Sequence, residues 1–132
     1  MHRSLMRMLL TINVFLAILW IYQGLVPKIM YKVVEEQRFW SAFGFNENAI
    51  FSLIKMSGYV EIFFGLLFIA FRKSKILHYI NISAMLIFFI VVMTLYPYYF
   101  SHAFNPFVMN IGMTALSIVA LQLLHLDQQI KS

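Results

Sequence analysis

The chain has 132 residues, of which 62% are hydrophobic and only 11% charged, with a formal net charge of +5. A water-soluble fold, in which roughly a quarter of residues are charged, could not hide so much apolar surface, and the basic residues are scattered between apolar blocks instead of forming the stripe that a nucleic-acid partner requires. The absence of Cys excludes disulfides, thiolate metal sites, iron–sulfur ligation and thiol redox chemistry within the chain.

Four apolar runs follow in order, at about residues 5–27, 49–71, 76–96 and 106–126. Each is near the roughly 20 residues that a helix needs to cross a 30 Å hydrocarbon layer. The first carries no charge after Arg7. Arg3, Arg7 and the apolar run could open a signal peptide, but the run is too long and no small-residue cleavage site follows it. Gln23, Gly24 and Pro27 lead directly to Lys28, so the run is expected to be retained as a span.

The longest polar connection, Lys28 to Asn48, mixes charges with Val33, Val34, Phe39, Trp40, Phe43 and Phe45. Two structures suit it: an amphipathic segment lying on the outer interface with Trp40 toward the acyl chains, or a helical extension of the first span ending at Gly44. The second run contains only Lys55, near its start, and Glu61. The third ends before Pro97, where Tyr96, Tyr98, Tyr99 and Phe100 suggest an interfacial aromatic belt. The fourth opens with Pro106, which is tolerated in a first helical turn because its missing N–H has no partner there. In lipid, backbone groups must be satisfied within each segment, so these runs are expected to be helices, and no alternating ten-residue segments of a strand barrel occur. The expected fold is an all-α integral membrane protein, a bundle of four transmembrane helices formed by a single domain over residues 1–132.

Orientation follows from Lys and Arg, which are retained on the cytoplasmic face. One side of a four-span protein would hold Arg3, Arg7, Arg72, Lys73, Lys75 and Lys131. The other would hold Lys28, Lys32, Arg38 and Lys55, with Glu35, Glu36 and Glu47. The compact Arg72–Lys75 hairpin weighs most, and both termini read as cytoplasmic.

Polar residues at hydrocarbon depth must find partners or serve a function. Glu61 lies on the order of 18 Å along the second helix, close to the midplane. Gly58, Glu61 and Gly65 share one helix face, so Glu61 should lie between positions of close backbone approach. The first helix offers Asn13, Ala17, Trp20, Gly24 and Lys28 in a matching stripe, and the fourth offers Asn110, Thr114 and Ser117. Gln23 could join at the outer end. Lys28 is the nearest counter-ion for Glu61, although several ångströms of depth separate their expected positions. These residues read either as structural links between helices or as a ligand, proton or partner site.

His78 and His125 both fall near the inner ends of their runs. Bis-imidazole haem ligation is geometrically conceivable, but positions at helix ends argue against a buried haem, and an interfacial setting is expected for both, as for His102 in the outer loop. No Ser/His/Asp set, metal-spaced cluster or phosphate-binding glycine loop is present.

Three segments carry a resemblance: WIYQGLVPK from Trp20 to Lys28, GYVEIFFG from Gly58 to Gly65, and AFNPFVMN from Ala103 to Asn110. Together they resemble the DoxX-like family of small four-span bacterial membrane proteins, over about Arg7 to Leu124. The resemblance implies that Pro27, Lys28, Glu61, Asn105 and Pro106 are characteristic positions, and it brings no established activity. The family's founding type resembles a small subunit of a thiosulfate:quinone oxidoreductase, whose chemistry depends on a partner subunit. Three functions follow as expectations: an accessory or scaffold subunit that binds a membrane-protein partner or a second copy; a quinone or lipid-like ligand site with Glu61, Lys28, Trp20, Gln23, Asn105 and Asn110; or an oligomeric small-solute or proton permease. Gly24, Gly58 and Gly65 are expected at helix contacts, and no metal is expected.

Overall fold

The computed structural model describes residues 2–30, 34–95 and 106–131. Tyr96, Tyr98, Tyr99, Phe100, His102 and Asn105 lie outside the described residues, so the aromatic belt and one characteristic position are not placed. All regular structure among the described residues is helical: α1 (His2–Gly24), a π-helical turn (Leu25–Met30), α2 (Val34–Ser41), α3 (Glu47–Ala70), α4 (Lys75–Leu95) and α5 (Pro106–Lys131). Four helices are long and apolar enough to cross a membrane: His2–Gly24, Glu47–Ala70, Lys75–Leu95 and Val108–Lys131. The all-helical membrane architecture expected from hydropathy is what the chain adopts.

Helix ends follow from local chemistry. The Asn46 side chain caps α3 by accepting from Ala49 N–H at 2.8 Å, and Glu47 in the first turn complements the positive end of the helix dipole. Ser74 Oγ receives Leu77 N–H at 3.4 Å at the start of α4. After α2, Gly44 adopts φ 84°, a left-handed conformation that costs glycine little. In the Lys28–Asn48 connection, the first helix continues through a π turn to Met30 and α2 covers Val34–Ser41. Trp40 then packs on Phe43 and Phe45, with ring centroids 6.0 and 6.3 Å apart.

Two compact units form, Met1–Ile12 with Arg72–Ser132, and Asn13–Phe71, so that α1 contributes its first half to one and its second half to the other. In the Asn13–Phe71 unit, the π turn and α2 both pack on α3. In the other, α4 packs on α5. Large apolar side chains remain exposed along every span, including Ile18, Val60, Phe63, Ile87 and Ile111. Such outward apolar faces suit a lipid solvent, in which burial of polar groups and close packing take over from hydrophobic collapse as the forces between helices.

Candidate functional site: an ion pair on a glycine-lined helix contact

The stripe on α1 is an inward face. Asn13, Ala17, Trp20 and Gly24 are buried and Lys28 is partly so; on α3, Gly58 and Gly65 are buried and Glu61 lies between them, partly buried. The two helices meet where side chains are smallest. A Cβ on Gly65 would stand 2.9 Å from the Ala17 carbonyl oxygen and 3.1 Å from Trp20 Cβ, and one on Gly24 would strike the Gly58 carbonyl and stand 3.1 Å from Glu61 Cβ. Hydrogen in place of a side chain is what lets the backbones come this close.

That contact delivers Lys28 to Glu61. The Lys28 ammonium lies 3.3 Å from Glu61 Oε1 and 3.5 Å from Ser57 Oγ, whose own hydroxyl donates to Ile54 O at 2.9 Å. Lys28 sits on the π turn, which packs on α3. Its long stem spans the difference in depth between the two residues, with the side chains only 13% and 20% exposed for Lys28 and Glu61. A charge removed from water costs several kcal/mol unless paired, so each ion is tolerated here because the other is present. Trp20 closes the same face, its ring edge-on to Phe64 at 4.9 Å, and Phe64 in turn packs on Phe68 at 5.0 Å. Two turns back along α1, Asn13 Nδ2 donates to the Phe68 carbonyl at 3.0 Å. That bond reaches the last turns of α3, where a helix leaves carbonyls without intrahelical donors.

Of the expected site residues, Lys28, Glu61, Trp20, Gly24, Gly58 and Gly65 are brought together, and Gln23 is half-buried on the adjoining turn of α1. Asn110 belongs to the α4–α5 unit and is buried there. Thr114, expected to bond across helices, turns back on α5 and donates to Asn110 O at 2.8 Å.

The α4–α5 unit holds a second polar cluster. Asn81 Nδ2 donates to Ser117 Oγ at 2.7 Å and approaches Met113 O at 3.3 Å, while His78 Nδ1 lies 3.0 Å from Ser117 Oγ. His78, Asn81 and Ser117 are fully buried. His78, expected in an interfacial setting, is enclosed by protein. It lies on the α5-facing side of α4, one turn from Asn81, and a serine one helix away supplies its partner. His125 is exposed and rests 3.3 Å from the Gln129 side chain. Asn81 and Asp127 escaped notice in the sequence. The i, i+3 spacing of His78 and Asn81 inside an apolar run could have signalled a shared polar face. Asp127 lies just past the fourth apolar run, yet is only 4% exposed, 3.2 Å from His2 Nδ1 and 3.3 Å from Lys131 Nζ. Among the described residues, no group of three or more His, Asp or Glu side chains is arranged to hold a metal ion.

The model of the DoxX-like family matches residues 17–118, which include the whole glycine-lined contact and its ion pair. The chain belongs to the DoxX-like family. Family membership and the four membrane-capable helices make it a small multi-pass membrane protein. No curated protein and no solved structure matches the chain.

Proposed function

We propose that this DoxX-like protein is an accessory or scaffold subunit of an inner-membrane complex, with no reaction chemistry of its own. The observation that supports this reading is how its intramembrane polar groups are used. Asn13 links α1 to α3, Lys28 links the π turn to Glu61 of α3, and Asn81 and His78 link α4 to α5. Polar groups employed in this way hold helices in register, and the apolar faces left exposed suit lipid or the spans of another membrane protein. Native mass spectrometry of the complex extracted in mild detergent tests it. A stoichiometric protein partner or a second copy is expected, whereas a lone chain carrying a stoichiometric small molecule would overturn it.

A second reading, a quinone or lipid-like ligand held at Lys28 and Glu61, is favoured by one observation: the two charged side chains keep 13% and 20% of their surface accessible. A polar ligand head could engage ions that are not fully sealed. Quinone extracted with the purified protein, and lost in Glu61→Gln, would support it. The permease reading has weaker grounds, since four spans are few for alternating access without oligomerisation.

Both termini are proposed to face the cytoplasm, on the strength of Arg3, Arg7, Arg72, Lys73, Lys75 and Lys131. In Ser132→Cys, a membrane-impermeant thiol reagent added outside cells should leave the protein unlabelled; in Ser101→Cys it should label. The opposite pattern would reverse the topology.

A further inference from the structure

At one end of the α4–α5 unit, cationic side chains gather around a single buried carboxylate. Arg72 and Lys73 form the turn before α4, Lys75 opens α4, and Lys131 closes α5. Lys75 Nζ donates to Gln128 Oε1 at 2.8 Å, which holds the start of α4 beside the end of α5. Asp127, at 4% exposure, takes Lys131 on Oδ2 at 3.3 Å and His2 on Oδ1 at 3.2 Å. Asp127 lies among these side chains, and the neighbouring Lys131 amine holds Lys73 below the ordinary lysine range. Two cations in such proximity are stabilised when an anion lies between them.

The flanks of this cluster are apolar. Ile76 is 70% exposed, and Tyr79, Ile80, Leu126 and Ile130 are exposed as well, on the same turns as the cations or the next. Lys75 and Lys131 are terminal residues of membrane-capable helices, which puts them at the depth of lipid head groups. The positive end of the α4 dipole, with Ser74 at its cap, points the same way.

We propose that Lys73 and Lys131, with Arg72 and Lys75 beside them, form a binding site for the phosphate of an anionic phospholipid whose acyl chains lie along Ile76, Tyr79 and Ile130. The ligand has two parts because the site does: cations at the helix ends, and exposed apolar side chains on the adjoining turns. A free phosphate ion would satisfy the first part and leave the second unused.

The test uses the full-length protein in nanodiscs of mixed phosphatidylcholine and phosphatidylglycerol, released into the gas phase so that retained lipids are counted by mass. Wild type should retain phosphatidylglycerol selectively. Lys73→Gln with Lys131→Gln should lower that preference about fivefold for each charge removed, the scale of one basic residue at an anionic surface. Lys73→Arg with Lys131→Arg should restore it, which separates lost binding from lost folding. Lys55→Gln, at an exposed lysine in the other unit, should leave the preference unchanged. Unchanged selectivity in the double Gln variant, or an equal loss in Lys55→Gln, would overturn the proposal. So would displacement of the retained lipid by millimolar inorganic phosphate, which would identify a site for the free ion.

Discussion

In the Asn13–Phe71 unit the central polar contact is an ion pair that keeps some accessibility, whereas in the α4–α5 unit it is a sealed set of amide, hydroxyl and imidazole groups. Lys28 and Glu61 retain 13% and 20% of their side-chain surface, while His78, Asn81 and Ser117 retain none. The difference follows the cost of desolvation. A charge is held where it gains an opposite charge at 3.3 Å, and a fully enclosed position takes groups that can be satisfied by one or two hydrogen bonds. The geometry differs in the same sense. The ion pair rests on a backbone-close contact made by glycines, and the sealed set bridges two helices through side chains.

Substitutions that act on this contrast should fall in a definite order. The largest loss is expected for Gly24→Leu, because the new side chain would run into the Gly58 carbonyl, which is backbone and cannot swing aside. Overpacking of this kind costs typically 1–3 kcal/mol, so about 3 kcal/mol or more is expected here, read as a lowered midpoint in denaturing-detergent titration. A variant as stable as wild type would break the view that α1 and α3 meet backbone to backbone. Glu61→Gln should come next, at about 2 kcal/mol, less than the 3–5 kcal/mol of a fully buried pair because neither side chain is fully enclosed. Ser117→Ala removes the oxygen shared by Asn81 and His78 and should cost about 0.6–1.7 kcal/mol, the range of hydrogen bonds between membrane helices. If Ser117→Ala costs more than Glu61→Gln, the sealed set, and not the ion pair, is the main stabilising contact. The smallest effect concerns Trp40, which should sit at the membrane surface. In a Trp20→Phe background its fluorescence should be quenched by lipids brominated at shallow depth, and quenching by aqueous agents alone would place it in water.

The spans were legible because hydropathy and length are cumulative signals, each repeated over some twenty residues. The helix contact was legible too, since Gly58, Glu61 and Gly65 fall on one face at i, i+3 and i+7, and the Asn13-to-Lys28 stripe has matching spacing. What spacing could not convey was reach: the meeting of Lys28 and Glu61 depends on the π turn and on how closely glycine lets α3 approach. The burial of His78 was hidden for a related reason. Its place near the end of an apolar run suggested an interface, while its partner Ser117 lies 39 residues later. Asp127 was passed over because an acid beyond the last apolar residue looks solvated, and only the packing around it encloses the side chain.

The Lys28–Glu61 pair is tested most directly by a double-mutant cycle in a reversible detergent unfolding assay, using Lys28→Met, Glu61→Gln and the two combined. Each single change leaves one polar or charged partner stranded, so both should destabilise the protein, and the double variant should recover part of the loss with a coupling energy of about 1 kcal/mol or more. Simple addition of the two single losses would mean that the residues stand side by side without holding α3 to the π turn.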